Sequence, residues 1–267
     1  VTASTFAHLP PFTSVLEIQN STPGVLQIDT VKLPLLTDLS LIDCHLSDLE
    51  AVSGLHTLLR LNRSSNLLSV LSTGEFGAMG GLGVLDVSCN NITHVEETVF
   101  TSLPALRRLN LSGNKLSEVV AGLNASLLHL DLYYNCISVL NDSTFSVLEN
   151  LLELNLCGNG LFNVSSECFN GLANLQFLDL SQNQISTLES GTFSELTGLL
   201  KLNLSGNLLE SLTEQCFRGL ARLQLLDASH NRITSVSPGT FQPVAGLTDL
   251  FLADNPVLGL TVLVGTG

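Results

Sequence analysis

Few residues in this chain could carry out chemistry, and their spacing does not match a catalytic or metal site. Six cysteines and six histidines occur in 267 residues, without a Cys-x-x-Cys or His-Glu-x-x-His spacing. The glycine-rich run at 74–83 is not followed by a lysine, so it does not match a phosphate-binding loop. We therefore expect no enzymatic activity, no cofactor and no metal site.

The composition excludes several classes of partner. Asp and Glu number 24 against 10 Lys and Arg, a formal net charge of -14, so nucleic acid is not an expected partner. Hydrophobic residues make up 45% of the chain and charged residues 13%, which excludes a disordered polypeptide. Because the sequence has no uninterrupted apolar run long enough to span a bilayer, we expect no membrane contact from this segment.

An internal repeat dominates the sequence. The consensus is L-x-x-L-x-L-x-x-N-x-L, and most units are 24 residues long with a phenylalanine ten residues after the asparagine. The asparagines are Asn66, Asn90, Asn114, Asn135, Asn159, Asn183, Asn207, Asn231 and Asn255. The phenylalanines are Phe76, Phe100, Phe145, Phe169, Phe193, Phe217 and Phe241, with Phe6 as the remnant of an earlier copy.

The periodicity within each unit predicts how the units fold. The L-x-L alternation predicts a short strand whose leucines point inward. Such a strand buries its apolar side only by stacking in parallel on neighbouring copies. The asparagine should point inward and hydrogen-bond the backbone of adjacent turns, while phenylalanine fills the opposite side. The remaining segments are short and polar, so we expect turns and short 3₁₀ pieces there. Asp179 lies between Leu178 and Leu180 and should point outward. The same position is Asp or Asn in other units, so these side chains should form an Asp/Asn column.

The pattern resembles extracellular leucine-rich repeats over roughly residues 12–258. Toll-like receptor ectodomains, variable lymphocyte receptors and small leucine-rich proteoglycans are examples. The resemblance implies an α/β solenoid, a horseshoe of about 10–11 repeats with a parallel concave sheet and a mostly irregular or 3₁₀ convex side. We expect a single solenoid over 1–267 with partial repeats at 1–12 and 258–267. The Cys-rich caps usual in extracellular members are absent from this sequence.

Three positions depart from the repeat. The unit from Asn114 to Asn135 is three residues short and lacks the phenylalanine, and Cys44 occupies an asparagine slot, where we expect a buried thiol. Arg63 occupies the inward slot that Val87 fills in the next copy. Because a buried guanidinium is costly, either the side chain extends out of a distorted strand or an acidic group reaches it. The simpler interpretation of Arg63 is a local irregularity, and the other is a functional role.

Glycosylation sequons and cysteines indicate the compartment. Eight N-x-S/T sequons predict a secreted or cell-surface glycoprotein. Solenoid geometry keeps cysteines in similar slots of separate units too far apart to bridge, so we predict at most one intrachain disulfide. The predicted glycosylation sites are Asn20, Asn62, Asn91, Asn110, Asn124, Asn141, Asn163 and Asn203.

The outward strand positions vary between units and predict a ligand-binding surface. In leucine-rich repeat proteins this concave face is the usual recognition surface, and tyrosine and arginine are typical binding residues. The chain has only two tyrosines, and both fall here, between the sequons at Asn110 and Asn203. Random variation at exposed positions is the alternative explanation. The predicted contacts are Arg107, Arg108, His129, Tyr133, Tyr134, Glu153 and Phe177. The Asp/Asn column could bind cations, but a solvated structural column is the favoured interpretation.

These features predict a non-catalytic extracellular ectodomain that recognises a protein or microbial ligand on its concave or lateral face. The resemblance implies a receptor of the innate-immune pattern-recognition type. The alternative is a secreted matrix or adhesion protein that binds structural or growth-factor partners. A homodimer is possible for either role.

Overall fold

The computed structural model describes residues 9–21, 33–47 and 54–257. Within these ranges the chain forms fifteen short strands, three 3₁₀ segments and no α-helix. No helix in this part of the chain is long and apolar enough to cross a bilayer. The strands are β1 (Val15–Gln19), β2 (Asp38–Ile42), β3 (Arg60–Asn62), β4 (Val70–Leu71), β5 (Val84–Asp86), β6 (His94–Val95), β7 (Arg108–Asn110), β8 (His129–Asp131), β9 (Glu153–Asn155), β10 (Phe177–Asp179), β11 (Lys201–Asn203), β12 (Ser211–Leu212), β13 (Leu225–Asp227), β14 (Ser235–Val236) and β15 (Asp249–Phe251).

The chain divides into two compact units, which are Val1–Ile137 with Asn150–Leu154 and Ser138–Glu149 with Asn155–Gly267. In the first unit, β1, β2, β3, β5, β7 and β8 pair successively in parallel. In the second, β10, β11, β13 and β15 do the same. Both units confirm the predicted parallel repeat solenoid. The single solenoid over 1–267 stays a prediction, and 258–267 and most of 1–12 lie outside the described residues.

The inward leucines of the three-residue strands form the core, as the alternation predicts, except in β15, where Leu250 is 38% exposed. Leu109 is 2% exposed and Leu178 is fully buried, whereas their strand neighbours Asn110 and Asp179 are only half-buried. One strand contributes a single central leucine, so the core exists only because parallel neighbours place the next leucine beside it.

The asparagine of each unit connects consecutive turns. Asn183 is buried, and its Oδ1 accepts the backbone N–H of Leu161 at 3.0 Å. Its Nδ2 donates to the carbonyl oxygens of Leu156 and Leu180 at 2.9 and 3.0 Å. These turn groups are buried and need partners, so the predicted asparagine ladder is confirmed.

Phenylalanine rings fill the core opposite the strands. Phe145 and Phe169 stack with centroids 6.2 Å apart, and Phe169 and Phe193 with centroids 5.9 Å apart. Phe241 is half-buried, and the predicted remnant Phe6 lies outside the described residues. The predicted short 3₁₀ pieces are confirmed at Phe100–Ser102, Glu214–Phe217 and Gln242–Val244.

Cys44 fits its asparagine slot as predicted, with 1% of its surface exposed. Its Sγ donates to the carbonyl oxygens of Ile18 and Ile42 at 3.5 and 3.3 Å, so the thiol replaces the amide as a weak donor. Burial raises the pKa of this thiol, which keeps it protonated.

Arg63 is fully buried. Its backbone is regular, because its N–H donates to the carbonyl oxygen of Asp86 at 2.7 Å and its own carbonyl accepts Nδ2 of Asn66 and Asn90, each at 3.0 Å. The expectation that the side chain extends out of a distorted strand is therefore wrong. The alternative, an acidic group that reaches the guanidinium, stays a prediction.

Candidate ligand-binding surface

Parallel pairing lines up the outward side chains of the first unit in two columns. In one column, Arg108 of β7 lies in register with His129 of β8. In the other, Asn110 lies in register with Asp86 of β5 and Asp131 of β8. Since neighbouring strands are about 4.8 Å apart, residues from different repeats become neighbours on one face.

His129 and Glu153 are in close contact on this face. Nδ1 of His129 lies 2.8 Å from Oε2 of Glu153, and the two side chains are 21% and 56% exposed. The residues are one 24-residue repeat apart, so the repeat spacing could have predicted the pair. The contact brings two of the predicted ligand contacts from neighbouring repeats together.

Tyr133 and Tyr134 follow β8 and are exposed by 39% and 58%. Their ring centroids are 5.0 Å apart at an interplanar angle of 54°. The carboxylate of Asp131 accepts the backbone N–H of Tyr133 at 2.9 Å, and the carbonyl oxygen of Tyr133 accepts the N–H of Gly113 at 2.7 Å. The backbone below the two rings is therefore held by β8 and the preceding turn.

Tyr134 has a left-handed backbone, with φ of 53°. The position before the asparagine has a positive φ in every described unit. It is glycine in three units, Gly113, Gly158 and Gly206, and another residue in the rest, Ser65, Cys89, Tyr134, Gln182, His230 and Asp254. A non-glycine residue in this conformation costs of order 1 kcal/mol, but the conformation belongs to the repeat turn and does not single out Tyr134. The recurrent glycine before the asparagine is the sequence signal that could have predicted it.

Arg107 and Arg108 are both exposed. Arg107 donates its backbone N–H to Gly83 at 2.9 Å. Within the part of the chain that the structure describes, no ion pair involves either guanidinium. Both charges therefore face solvent, and Arg108 lies in the same column as His129.

Phe177 belongs to the second unit, in β10. The side chain is half-buried rather than fully exposed, and the residue lies in register with Lys201 on the next strand. The structure therefore places six of the seven predicted contacts in the first unit and Phe177 in the second.

The outward Asp/Asn column is hydrogen-bonded internally. Asp86 accepts the backbone N–H of Ser88 at 2.9 Å through Oδ1 and Nδ2 of Asn110 at 3.1 Å through Oδ2. In the second unit, Asn203 Nδ2 donates to Asp179 at 3.1 Å. The carboxylates therefore close turns and bridge strands. Across residues 9–21, 33–47 and 54–257, no three His, Cys, Asp or Glu side chains cluster in a way that could hold a metal ion.

The predicted glycosylation sites differ in exposure. Four are exposed and four are half-buried. Among the half-buried ones, the side-chain nitrogens of Asn110 and Asn203 already donate to carboxylates. The exposed sites are Asn20, Asn91, Asn141 and Asn163, and the half-buried sites are Asn62, Asn110, Asn124 and Asn203.

None of the six cysteines forms a disulfide in the structure, and the prediction allowed at most one. Cys89 and Cys136 are exposed and the other four are buried. The repeat pattern predicted Cys44 as buried; for the others it indicated only that they lie in separate units.

The leucine-rich repeat family model matches residues 64–116, 149–209 and 197–257, more than half of the chain. A curated relative, the leucine-rich repeat-containing G-protein coupled receptor 5 of Rattus norvegicus, is 30% identical over 137 residues. That match covers 49% of this chain and 15% of the relative.

A solved structure described as the crystal structure of a TLR13–ssRNA13 complex matches with a TM-score of 0.85 and 29% identity. It covers 97% of this chain and 39% of that chain. The chain therefore spans well under half the length of either protein. The family-model matches, together with the strand register and the asparagine ladder, show that this chain belongs to the leucine-rich repeat family.

Proposed function

We propose that this chain is a non-catalytic ligand-recognition domain of an extracellular receptor, and that it binds a protein or microbial ligand. The observation that carries the proposal is the pair Tyr133 and Tyr134. Two adjacent aromatic rings are exposed on a face where they pack no core. Large exposed aromatic side chains contribute much of the affinity at protein interfaces.

The proposed contact surface, which we call the tyrosine face, comprises Arg107, Arg108, His129, Tyr133, Tyr134 and Glu153. All six belong to the first unit. Regular strands and hydrogen-bonded turns hold it in shape, so little ordering entropy should be lost on binding. Phe177 remains a separate candidate contact on the second unit.

The comparisons support a receptor role. One relative is named a receptor, and the TLR13 structure is a complex with a single-stranded RNA. An innate-immune pattern-recognition role is the finer proposal, and a homodimer stays compatible with it. We do not carry the RNA ligand over, because this chain has a formal net charge of -14.

Alanine substitution of both tyrosines tests the contact surface. Purified protein is screened against an array of extracellular proteins and microbial surface extracts, and each ligand is then measured with the Y133A/Y134A variant. We expect the dissociation constant to rise about tenfold or more, since aromatic hot spots contribute about 2 kcal/mol or more.

The matched control is V139A/F162A, which removes two exposed apolar side chains of the second unit, 45% and 53% exposed. This control should retain binding. Ligands that bind Y133A/Y134A as well as the wild type would contradict the tyrosine face. A collagen or growth factor as the sole ligand would favour the matrix or adhesion role instead.

Expression through a secretory pathway tests the extracellular part of the proposal. We expect glycans at the exposed sequons Asn91, Asn141 and Asn163, detected by mass spectrometry after enzymatic deglycosylation in heavy-oxygen water. A secreted, folded protein without a glycan at any of the three would contradict a glycoprotein. Ser→Ala or Thr→Ala at the third sequon position provides the site-specific control.

A further inference from the structure

The charges of the tyrosine face do not balance within the first unit. Glu153 lies with Oε2 2.8 Å from Nδ1 of His129. In the adjacent column, Asp86 accepts hydrogen bonds from Ser88 and Asn110. Both carboxylates therefore contact other groups of the protein, whereas Arg107 and Arg108 have no ion pair among the described residues.

Arg60, which lies two strands from Arg108 in the same outward column, has an acidic partner. Arg60 of β3 donates to Asp38 of β2 at 2.7 Å across the strands. The strand that pairs with Arg108 on one side supplies Val84, and the strand on the other side supplies His129. Neither position offers a carboxylate, so the register leaves Arg108 without a cross-strand acidic partner.

We propose, on the basis of the ligand-binding surface proposed above, that the partner of the tyrosine face is an acidic protein segment. Its carboxylates would pair with Arg107 and Arg108, and its apolar or aromatic side chains would pack on Tyr133 and Tyr134. Arginine–carboxylate pairs are strong because the guanidinium presents parallel donors to both oxygens. At physiological salt, charges interact over about 8 Å, so negative charges farther away than this are largely screened from these two arginines.

A protein segment fits this face better than a continuous polyanion does. Asp86 and Asp131 flank Asn110 in the adjacent outward column, and each lies about one strand spacing from Asn110. A nucleic acid carries a phosphate at every nucleotide, so some of its phosphates would be repelled by these carboxylates. A protein segment can place its acidic groups opposite the arginines alone.

Selection from a random peptide library tests the partner class without a known ligand. Peptides displayed on phage are selected on the wild-type protein and then sorted by loss of binding to Y133A/Y134A. We expect the sensitive clones to be enriched in Asp and Glu together with aromatic residues. Sensitive clones that are neutral or basic would overturn the acidic partner and leave the tyrosine face intact. An absence of sensitive clones would contradict both the tyrosine face and its proposed partner.

Charge-matched variants of the protein complete the experiment. R107Q/R108Q removes two exposed positive charges from the tyrosine face, and K201Q/R222Q removes two exposed positive charges from the second unit. For a representative acidic clone, we expect R107Q/R108Q to weaken binding about tenfold or more and to flatten its salt dependence. K201Q/R222Q should leave both unchanged.

Two outcomes would overturn the inference. One is an equal loss of affinity in both charge variants, which would show a general effect of net charge. The other is an oligo-uridylate that binds wild-type protein more tightly than the acidic clone and loses that binding in R107Q/R108Q. That second outcome would assign the arginines to nucleic acid.

Discussion

Asparagine is well suited to the ladder position because its short amide both donates and accepts. At Asn183 one side chain satisfies the N–H of Leu161 and the carbonyl oxygens of Leu156 and Leu180. These three residues are buried, so water cannot take the place of the asparagine amide as a hydrogen-bond partner. The side chain is therefore a structural part of two consecutive turns.

Replacement of Asn183 by alanine should lower the free energy of unfolding by about 2–4 kcal/mol, because several buried backbone groups lose their partner. Urea denaturation followed by circular dichroism measures the change. The neighbouring Gln182 is exposed, and Q182A should change stability by less than about 0.5 kcal/mol. Equal urea midpoints for the two variants would show that the ladder contributes little.

The sequence predicts residue roles well where the repeat determines them. The spacing alone predicted the buried Asn183 and the buried thiol of Cys44, because both roles recur with the pattern. The left-handed backbone of Tyr134 recurs at the same position of every described unit, so the recurrent glycine there could have predicted it. The burial of Arg63, which directly follows β3, was one of two outcomes that the repeat left open, because the consensus does not specify local packing.

Strands β2 and β3 are joined by an ion pair as well as by backbone pairing. Arg60 donates to Asp38 at 2.7 Å, and this hydrogen bond, with a second from Thr37, holds the pKa of Asp38 below its ordinary value of 3.8. The depressed pKa means that the folded state favours the ionised carboxylate. Its stabilisation is complete above pH 3.8 and is lost as the pH falls through the lower folded-state pKa.

D38N should therefore destabilise the protein at neutral pH by about 0.2–1 kcal/mol, a small amount because the pair is exposed. The difference from wild type should shrink as the pH falls below 3.8. Urea denaturation at a series of pH values measures it, and high salt at neutral pH should also reduce it. A difference that grows on acidification would contradict the assigned direction of the pKa.

The short unit between Asn114 and Asn135 keeps its strand in register. Arg108 pairs with His129, 21 residues later, as regularly as other strands pair across 24. The unit is therefore shorter in the segment opposite the sheet, and the strand itself is unchanged. Gly122 lies in that segment with φ of 76°, and a Cβ there would overlap the carbonyl oxygen of Glu97.

G122A should destabilise the first unit by at least about 1–3 kcal/mol, because alanine disfavours this backbone conformation and the carbonyl must move. Gly80 provides the matched control, since it lacks a positive φ and a Cβ there meets no atom within 4 Å. G80A should be neutral or slightly stabilising. Thermal unfolding compares the two, and equal melting temperatures would show that the short unit tolerates a side chain at 122.

At the scale of the whole molecule, a strongly acidic chain presents a local pair of arginines. The formal net charge of -14 governs solubility and long-range repulsion. Screening confines each charge to its neighbourhood, so the recognition that we propose would depend on Arg107 and Arg108 and the groups beside them. Composition could therefore exclude a general affinity for polyanions, but only the cross-strand register identifies unpaired charges.

The reactivity of the six cysteines measures how tightly the protein is packed around them. Cys89 and Cys136 are exposed, whereas Cys44, Cys157 and two further cysteines are buried. Thiolate is the reactive form, and burial both shields Cys44 and raises its pKa. Two of the six thiols should thus react rapidly with Ellman's reagent in the native protein, and the other four only as the chain unfolds.

The C89S/C136S variant separates this expectation from partial unfolding. Because both fast thiols are removed, the rapid phase should disappear while the slow phase keeps its rate and amplitude. In wild-type protein kept under oxidising conditions, the same two thiols should produce intermolecular disulfides, which the double variant should not form. A rapid phase that persists in C89S/C136S would mean that a thiol buried in the repeat core is open to solvent. The continuous aliphatic packing on which the fold depends would then be incomplete at that turn.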